Sequence, residues 1–190
     1  MTPRIVVVAG YLAAGKSTFA RRLSKAAGVP RLIKDTFKSA LCASVSISGR
    51  SDGRRFSAVT FDAIMYVAER LIETGYPVII EGNFVPHGVK KTDEAGAIRA
   101  LIDKYMCRSL TYKFVGDTKV LHERFIKRDI LPERGRANMM FYEMPYCEFD
   151  TWCHALDAFD IGGEVIEIDT TNFNLVDFER HIKTARKFLL

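Results

Sequence analysis

The chain has 190 residues, a net charge of +5 and 48% hydrophobic residues. That length is enough for one domain with a sizeable core, and no apolar run is long enough to span a bilayer. The basic excess suits a small anionic ligand and is too modest to argue nucleic-acid binding by itself.

Four cysteines, Cys42, Cys107, Cys147 and Cys153, lie apart with no C-x-x-C pair. Such usage reads as reduced thiols of a cytoplasmic protein, not as a disulfide frame. Cys147, Cys153 and His154 are neighbours, but not at zinc spacing. Gly10 and Lys16 interrupt the apolar start of the chain, so it does not read as a signal peptide.

In chain order, Ile5 to Ala9 is a valine-rich run expected to form a strand buried on both faces. Lys16 to Ala27 has helical spacing, with Phe19, Ala20, Leu23 and Ala27 on one side. Arg31 to Lys34 reads as a short strand ending at Asp35, and Thr36 to Ala43 as a short helix. Ser44 to Arg55, rich in Ser, Gly and Arg, reads as a mobile loop. Ser57 to Glu73 is an amphipathic helix with Phe61, Ile64, Met65, Ala68, Leu71 and Ile72 inward, stopped by Gly75. Val78 to Ile80 is the next buried strand, closing on Glu81. Asp93 to Tyr105 reads as a helix, Leu110 to Val115 as a strand, and Thr118 to Ile130 as a helix that Thr118 could cap. Val165 to Ile168 is the last strand and Asp177 to Leu189 the last helix. Alternating strands and helices predict a parallel α/β sheet covered on both faces, a three-layer fold spanning residues 1–190. In such sheets ligands sit at the C-terminal ends of the strands, where Gly10, Asp35 and Glu81 would converge.

The stretch Gly10-Tyr-Leu-Ala-Ala-Gly15-Lys16-Ser17 fits G-x-x-x-x-G-K-[ST] and has the required strand before it and helix after it. In that loop N–H groups point inward and cradle phosphate oxygens, helped by the dipole of the following helix. Gly10, Ala13, Ala14, Gly15, Lys16, Ser17 and Thr18 are therefore candidate nucleotide contacts. Lys16 would reach the β- and γ-phosphates and Ser17 would hold Mg²⁺. Before nucleotide arrives, Lys16 is expected to be exposed.

Asp35 could take the proton from an attacking hydroxyl or cap the following helix, and both roles can hold at once. Glu81 could orient Mg²⁺ or its waters, or be a solvated strand end. Asn83 could contact a substrate or build a turn. Arg124, Arg128, Arg134 and Arg136 lie in "HERFIKRDILPERGRAN", where Pro132 and Gly135 punctuate the run. Arg124 and Arg128 share one helix face. Such arginines could form a flap over transferring phosphates, or a solvated basic face with Glu123 and Asp129 as partners. Arg134 is also a candidate nucleotide contact. The loop from Ile168 to Phe173 could line the adenine or merely turn. Met139, Met140, Phe141, Tyr142, Tyr146, Phe149 and Trp152 could cap a substrate pocket, but read first as core.

"AGYLAAGKST", "RLIKDTFKSAL", "GYPVIIEGNFVP" and "HERFIKRDILPERGR" occur in the order seen in small P-loop kinases. Over about residues 4 to 190 the set resembles the adenylate-kinase-like group that includes polynucleotide 5′-hydroxyl kinases, chloramphenicol phosphotransferases and zeta-toxin kinases. The resemblance implies a five-stranded parallel sheet of order 2-3-1-4-5. It implies ATP and Mg²⁺ as cofactors, Lys16 and Asp35 as catalytic residues with Asp35 the base, and Arg124 and Arg128 on a lid of about residues 124–140. The sequence departs from the group at Glu81, where many relatives carry Asp, and in the Met- and aromatic-rich segment after the lid.

The leading expectation is an ATP-dependent phosphotransferase acting on a hydroxyl of a small molecule. A polynucleotide 5′-hydroxyl kinase is the alternative, with Arg50, Arg54 and Arg55 to neutralise phosphates. A nucleotide-hydrolysing ATPase or switch is the reading from another class. No N-K-x-D guanine signature is present, and the chain is short for an AAA-type motor with a helical lid domain.

Overall fold

The first strand, β1 (Arg4–Gly10), organises the molecule by alternation. Val6 and Val8 enter one core, and Ile5, Val7 and Ala9 enter the other. Side chains of successive strand residues point to opposite faces, so a fully buried strand must be apolar throughout. The computed structural model describes residues 2–48, 50–84, 93–129, 131, 138 and 144–190.

Around β1 the sheet holds β2 (Arg31–Ile33), β3 (Val78–Glu81), β4 (Arg108–Val115) and β5 (Glu164–Asp169). All pairings are parallel and the order is β2-β3-β1-β4-β5, as expected. One face is covered by α1 (Lys16–Ala27), α6 (Thr118–Asp129), α7 (Tyr146–His154) and α8 (Phe178–Leu189). Phe19, Leu23, Phe125, Phe149, Ile182 and Leu189 fill that core. The other face is covered by α4 (Ser57–Glu73) and α5 (Glu94–Tyr105), through Phe61, Ile64, Ala68, Ile72, Ile98 and Leu101. Each such side chain, fully buried, contributes about 1.5–3 kcal/mol of transfer free energy.

The segment after β2 differs from the sequence expectation. Lys34 does not end the strand; it starts the helix α2 (Lys34–Leu41), whose N-cap is Ile33 and not Asp35. The reason is tertiary. The Lys34 ammonium is buried against Glu94, the first residue of α5, and lies 5.5 and 5.8 Å from the ring centroids of Phe61 and Phe84. This buried pairing sets where the chain leaves the sheet and moves Asp35 into the first turn of α2.

The expected loop from Ser44 is irregular only as far as Ser48 in the described residues. From Arg50 it winds into α3 (Arg50–Gly53) and a 3₁₀ turn, Arg54–Phe56. At the start of α6 the cap is Asp117, not Thr118: its Oδ1 accepts from Lys119 N and Val120 N at 2.9 and 3.1 Å. The helix α7 was not among the expected elements. In the aromatic-rich stretch, Phe149 is fully buried in the core, Trp152 packs against it and Tyr146 is exposed. Met139 to Tyr142 lie outside the described residues.

Candidate active site

The loop between β1 and α1 owes its shape to two glycines. Gly10 has φ +119°, and a Cβ there would meet Phe114 O at 2.1 Å. That close approach lets Tyr11 N donate to Phe114 O at 2.7 Å. Gly15 caps α1 with φ +89°. Ala13 also adopts a left-handed conformation, φ 59°, which costs a non-glycine residue free energy and is typical of ligand-holding turns. The first turn of α1 contains no acidic residue, so nothing in it neutralises the positive end of the helix dipole.

A cleft opens at this loop. It is lined by Leu12 to Thr18 along the loop, with Asp35, Glu81, Asn83 and Arg128 on the surrounding walls. Asp35 comes from α2, Glu81 ends β3, Asn83 follows it, and Arg128 comes from the last turn of α6. Of the residues expected at the site, Ala13, Ala14, Gly15, Lys16, Ser17, Thr18, Asp35, Glu81 and Arg128 thus line one cleft. Gly10 stands behind it, serving the strand contact just described. Arg134, like Arg136, Pro132 and Gly135, lies outside the described residues.

Lys16 is not exposed, contrary to expectation: its relative exposure is 6%. Its Nζ donates to Gly10 O at 2.9 Å and to Tyr11 O at 2.5 Å. The stem is therefore folded back inside its own loop. Burial drives the ammonium below its ordinary range, and the carboxylates of Glu81 and Asp35 act in the opposite sense. Glu81 is 4% exposed. Burial pushes its carboxyl above the usual carboxylate range, while Lys16 and the Ser17 hydroxyl favour its charged form. Ser17 Oγ donates to Glu81 Oε2 at 3.1 Å.

The residue chemistry fits Mg²⁺. Ser17 and Glu81 present hard oxygen donors side by side, next to Asp35 and the phosphate-binding loop. Among the described residues no trio of His, Cys, Asp or Glu could hold a metal unaided. Magnesium bound through one or two protein oxygens needs phosphate oxygens and waters for the rest of its octahedron.

Arg124 and Arg128 separate. Arg124 does not line the phosphate cleft. Its guanidinium donates to Thr170 O at 2.5 Å and Thr171 O at 2.6 Å, and lies 4.2 Å from the Phe173 ring centroid. Phe173 opens the 3₁₀ turn Phe173–Leu175 after β5. Together with Gly15, Thr18, Phe19, Arg22 and Phe178 it lines a second, largely apolar cavity of about 240 Å³ beside the start of α1. Planar aromatic groups prefer such apolar slots with ring faces available. Of the loop from Ile168 to Phe173, Phe173 lines this cavity.

Three features of the site have little sequence signal. Phe178 and Arg22 are read as ordinary helix positions until α8 packs on α1. Asn138 is buried, 3% exposed, and donates to Asp35 O and Ser39 Oγ. Tyr11 is a variable position of the loop motif, yet its hydroxyl donates to Asp157 Oδ1 at 2.8 Å and anchors the loop from behind.

Solved structures place this geometry. A kinase candidate from Chloroflexus aurantiacus superposes with a TM-score of 0.85, covering 100% of both chains at 22% identity. Shikimate kinase from Acinetobacter baumannii covers 97% of this chain and 91% of its own, with a TM-score of 0.57 and 13% identity. A gluconokinase from Sinorhizobium meliloti covers 98% of this chain and 91% of its own, with a TM-score of 0.54 and 16% identity. These likenesses carry the fold, a P-loop kinase fold. No curated protein sequence matches the chain. The family model described as an AAA domain matches residues 5–129, from the first strand through the arginine-bearing helix, and the chain belongs to that family.

Proposed function

We propose that the protein is an ATP-dependent phosphotransferase that moves the γ-phosphoryl group to a hydroxyl of a small molecule. The observation that carries this reading is that Asp35 and Arg128, from two different helices, both line the cleft at the phosphate loop. A carboxylate from the segment after β2, facing the loop, is what an incoming hydroxyl requires.

In this reading the adenine occupies the cavity beside Phe173, and Arg124 holds the loop that forms it. Backbone N–H groups of Ala13 to Thr18 bind the phosphates, and Lys16 leaves its carbonyl partners to reach the β- and γ-oxygens. Ser17 and Glu81 would hold Mg²⁺, which when bound neutralises charge on those oxygens. Asp35 accepts the proton of the acceptor hydroxyl as its oxygen bonds to the γ-phosphorus and the bond to the β–γ bridging oxygen breaks. Arg128 meets the charge on the transferring group. Residues 1–190 act as one kinase domain, with the segment from Arg124 to about residue 140 as its lid.

The kinase neighbours act on small acceptors by name, shikimate and gluconate among them, and this supports the small-molecule reading. The polynucleotide alternative loses part of its motivation. Arg54 is stacked 5.5 Å from the Trp152 ring centroid, and Arg55 Nε donates to Asp52 O at 3.4 Å. No described helix is long and apolar enough to cross a membrane. The deciding experiment is ADP formation from Mg·ATP across a panel of hydroxylated metabolites and antibiotics, with a 5′-hydroxyl oligonucleotide included. Stimulation by a small acceptor is the expected result. Stimulation by the oligonucleotide alone, or turnover indifferent to every acceptor, overturns the reading.

A further inference from the structure

Asn138 belongs to the part of the chain that follows α6, yet its side chain is bound to α2. Its Nδ2 donates to the main-chain oxygen of Asp35 at 3.2 Å and to Ser39 Oγ at 2.8 Å. Asp35 and Ser39 are four residues apart on one edge of α2. The amide is almost wholly buried, at 3% exposure, so these bonds form away from bulk water, where losing a partner is costly.

A second contact joins the same two stretches of chain. Arg54, between β2 and β3, stacks on Trp152 of α7. The turn Arg54–Phe56 is thereby tied to α7, while Asn138 holds α2 itself. A carboxylate and a guanidinium contributed by different elements must be held to within a fraction of an ångström to act on one phosphoryl group.

We propose that Asn138 is a positioning residue: by gripping the Asp35–Ser39 edge of α2 it fixes the Asp35 carboxylate at the phosphate cleft. It touches neither nucleotide nor acceptor. The inference rests on the role given above to Asp35 as the base. It requires the Nδ2 donor itself, because the main-chain oxygen of Asp35 can only accept a hydrogen bond.

The test is a double-mutant cycle between Asn138→Asp and Asp35→Asn, read as steady-state ADP formation from Mg·ATP with water as the acceptor. Asn138→Asp keeps the shape but brings a carboxyl group, so Asn138→Leu, which has neither donor nor charge at similar size, is run beside it and must show the same loss. The expected result is a fall in kcat of about tenfold with the KM for ATP unchanged within twofold. In the Asp35→Asn background the same substitution should have no further effect, since the group it positions is gone. Ser39→Ala, which removes one of the two acceptors on a helix surface, should give a smaller loss of the same kind, and it carries the cycle if Asn138→Asp does not fold. An unchanged kcat, equal losses in both backgrounds, or a rise in KM matching the fall in kcat overturns the proposal. If Asp35→Asn alone leaves ADP formation intact, the base assignment itself fails, and the positioning role with it.

Discussion

The hydroxyl of Ser17 donates to the Glu81 carboxylate across 3.1 Å, joining the first residue after the loop lysine to the end of the strand beside β1. Both oxygens belong to the site read here as holding Mg²⁺. Burial and the Asp35 carboxylate push the Glu81 carboxyl up, while Lys16 and the Ser17 hydroxyl favour its charged form.

Glu81→Gln should preserve the hydrogen bond from Ser17 and remove the charge. Nucleotide affinity measured in EDTA is expected to stay within about threefold of wild type, while the strengthening of binding by added Mg²⁺ is lost, as follows from removing an anionic oxygen ligand. Calorimetric titration with ADP, with and without Mg²⁺, checks this. Retained Mg²⁺ enhancement in the variant would place the metal elsewhere.

The buried position of Lys16 changes what its removal does. Lys16→Ala deletes a donor from Gly10 O and Tyr11 O inside the loop. Leaving buried carbonyls without a partner costs about 1–3 kcal/mol, so the variant should melt several degrees below wild type as well as lose nucleotide affinity. Thermal denaturation beside nucleotide titration checks both. An unchanged melting temperature would mean that the loop relaxes to water when the lysine is absent.

The arginines of α6 should divide by kinetic parameter. Arg128→Ala removes a group from the phosphate cleft and is expected to lower kcat by about 10²-fold or more, as losing a donor to developing charge does. Arg124→Ala frees the carbonyls of Thr170 and Thr171 and should act through the base cavity, raising the KM for ATP. Steady-state kinetics with varied ATP separates them. A severe kcat defect in Arg124→Ala with a silent Arg128→Ala would reverse the assignment.

The strand of apolar residues, the glycine pair and the helix after them were legible because each has one dominant physical cause, and all three act locally. The boundary at Lys34 was not, because a lysine beside apolar residues reads as a strand end until Glu94 and two phenylalanines arrive from other elements to bury it. Helix α7 is hidden for a similar reason. Phe149 and Cys153 are four apart and both buried, but Glu148, Asp150 and His154 between and beside them break the pattern. The burial of Lys16 has no sequence signal, because its partners are the backbone carbonyls of Gly10 and Tyr11, which no side-chain pattern announces. Arg124 and Arg128 look equivalent at helical spacing; one turn of helix sends one to the carbonyls of Thr170 and Thr171 and the other to the cleft at the phosphate loop.

Thiol reactivity tests the packing of α7 directly. Cys147 is exposed on that helix, and Cys42, Cys107 and Cys153 are buried. Burial pushes the Cys153 thiol up to about 11 and raises Cys107 as well. Only the thiolate attacks, and a thiol with a pKa near 11 is ionised in about one molecule per thousand at pH 8. A colorimetric thiol titration at pH 8 should therefore count one fast group in the native protein and four in denaturant. Fast reaction of Cys153, identified by mass spectrometry of the labelled peptides, would show that α7 is not packed as described.

Asp35 offers the sharpest separation of roles. The sequence allowed it to be a cap, but Ile33 occupies that position and Asp35 sits within the first turn of α2. A carboxylate there still interacts favourably with the helix dipole, at about 0.3–1 kcal/mol. Asp35→Asn keeps the shape, forfeits that small term and leaves the main-chain oxygen free to accept from Asn138 as before. A purely structural Asp35 thus predicts a slightly lower melting temperature and normal turnover. A base predicts unchanged nucleotide affinity and transfer reduced by roughly 10²- to 10⁴-fold, the range for losing a positioned proton acceptor. Calorimetry for nucleotide binding, thermal denaturation and acceptor-stimulated ADP formation on the same two preparations distinguish the outcomes. The second is expected, because Asp35 lines the cleft at the phosphate loop together with Lys16 and Arg128. Near-normal turnover in the Asn variant would reduce Asp35 to a first-turn helix residue and leave proton removal to solvent or to the phosphate itself.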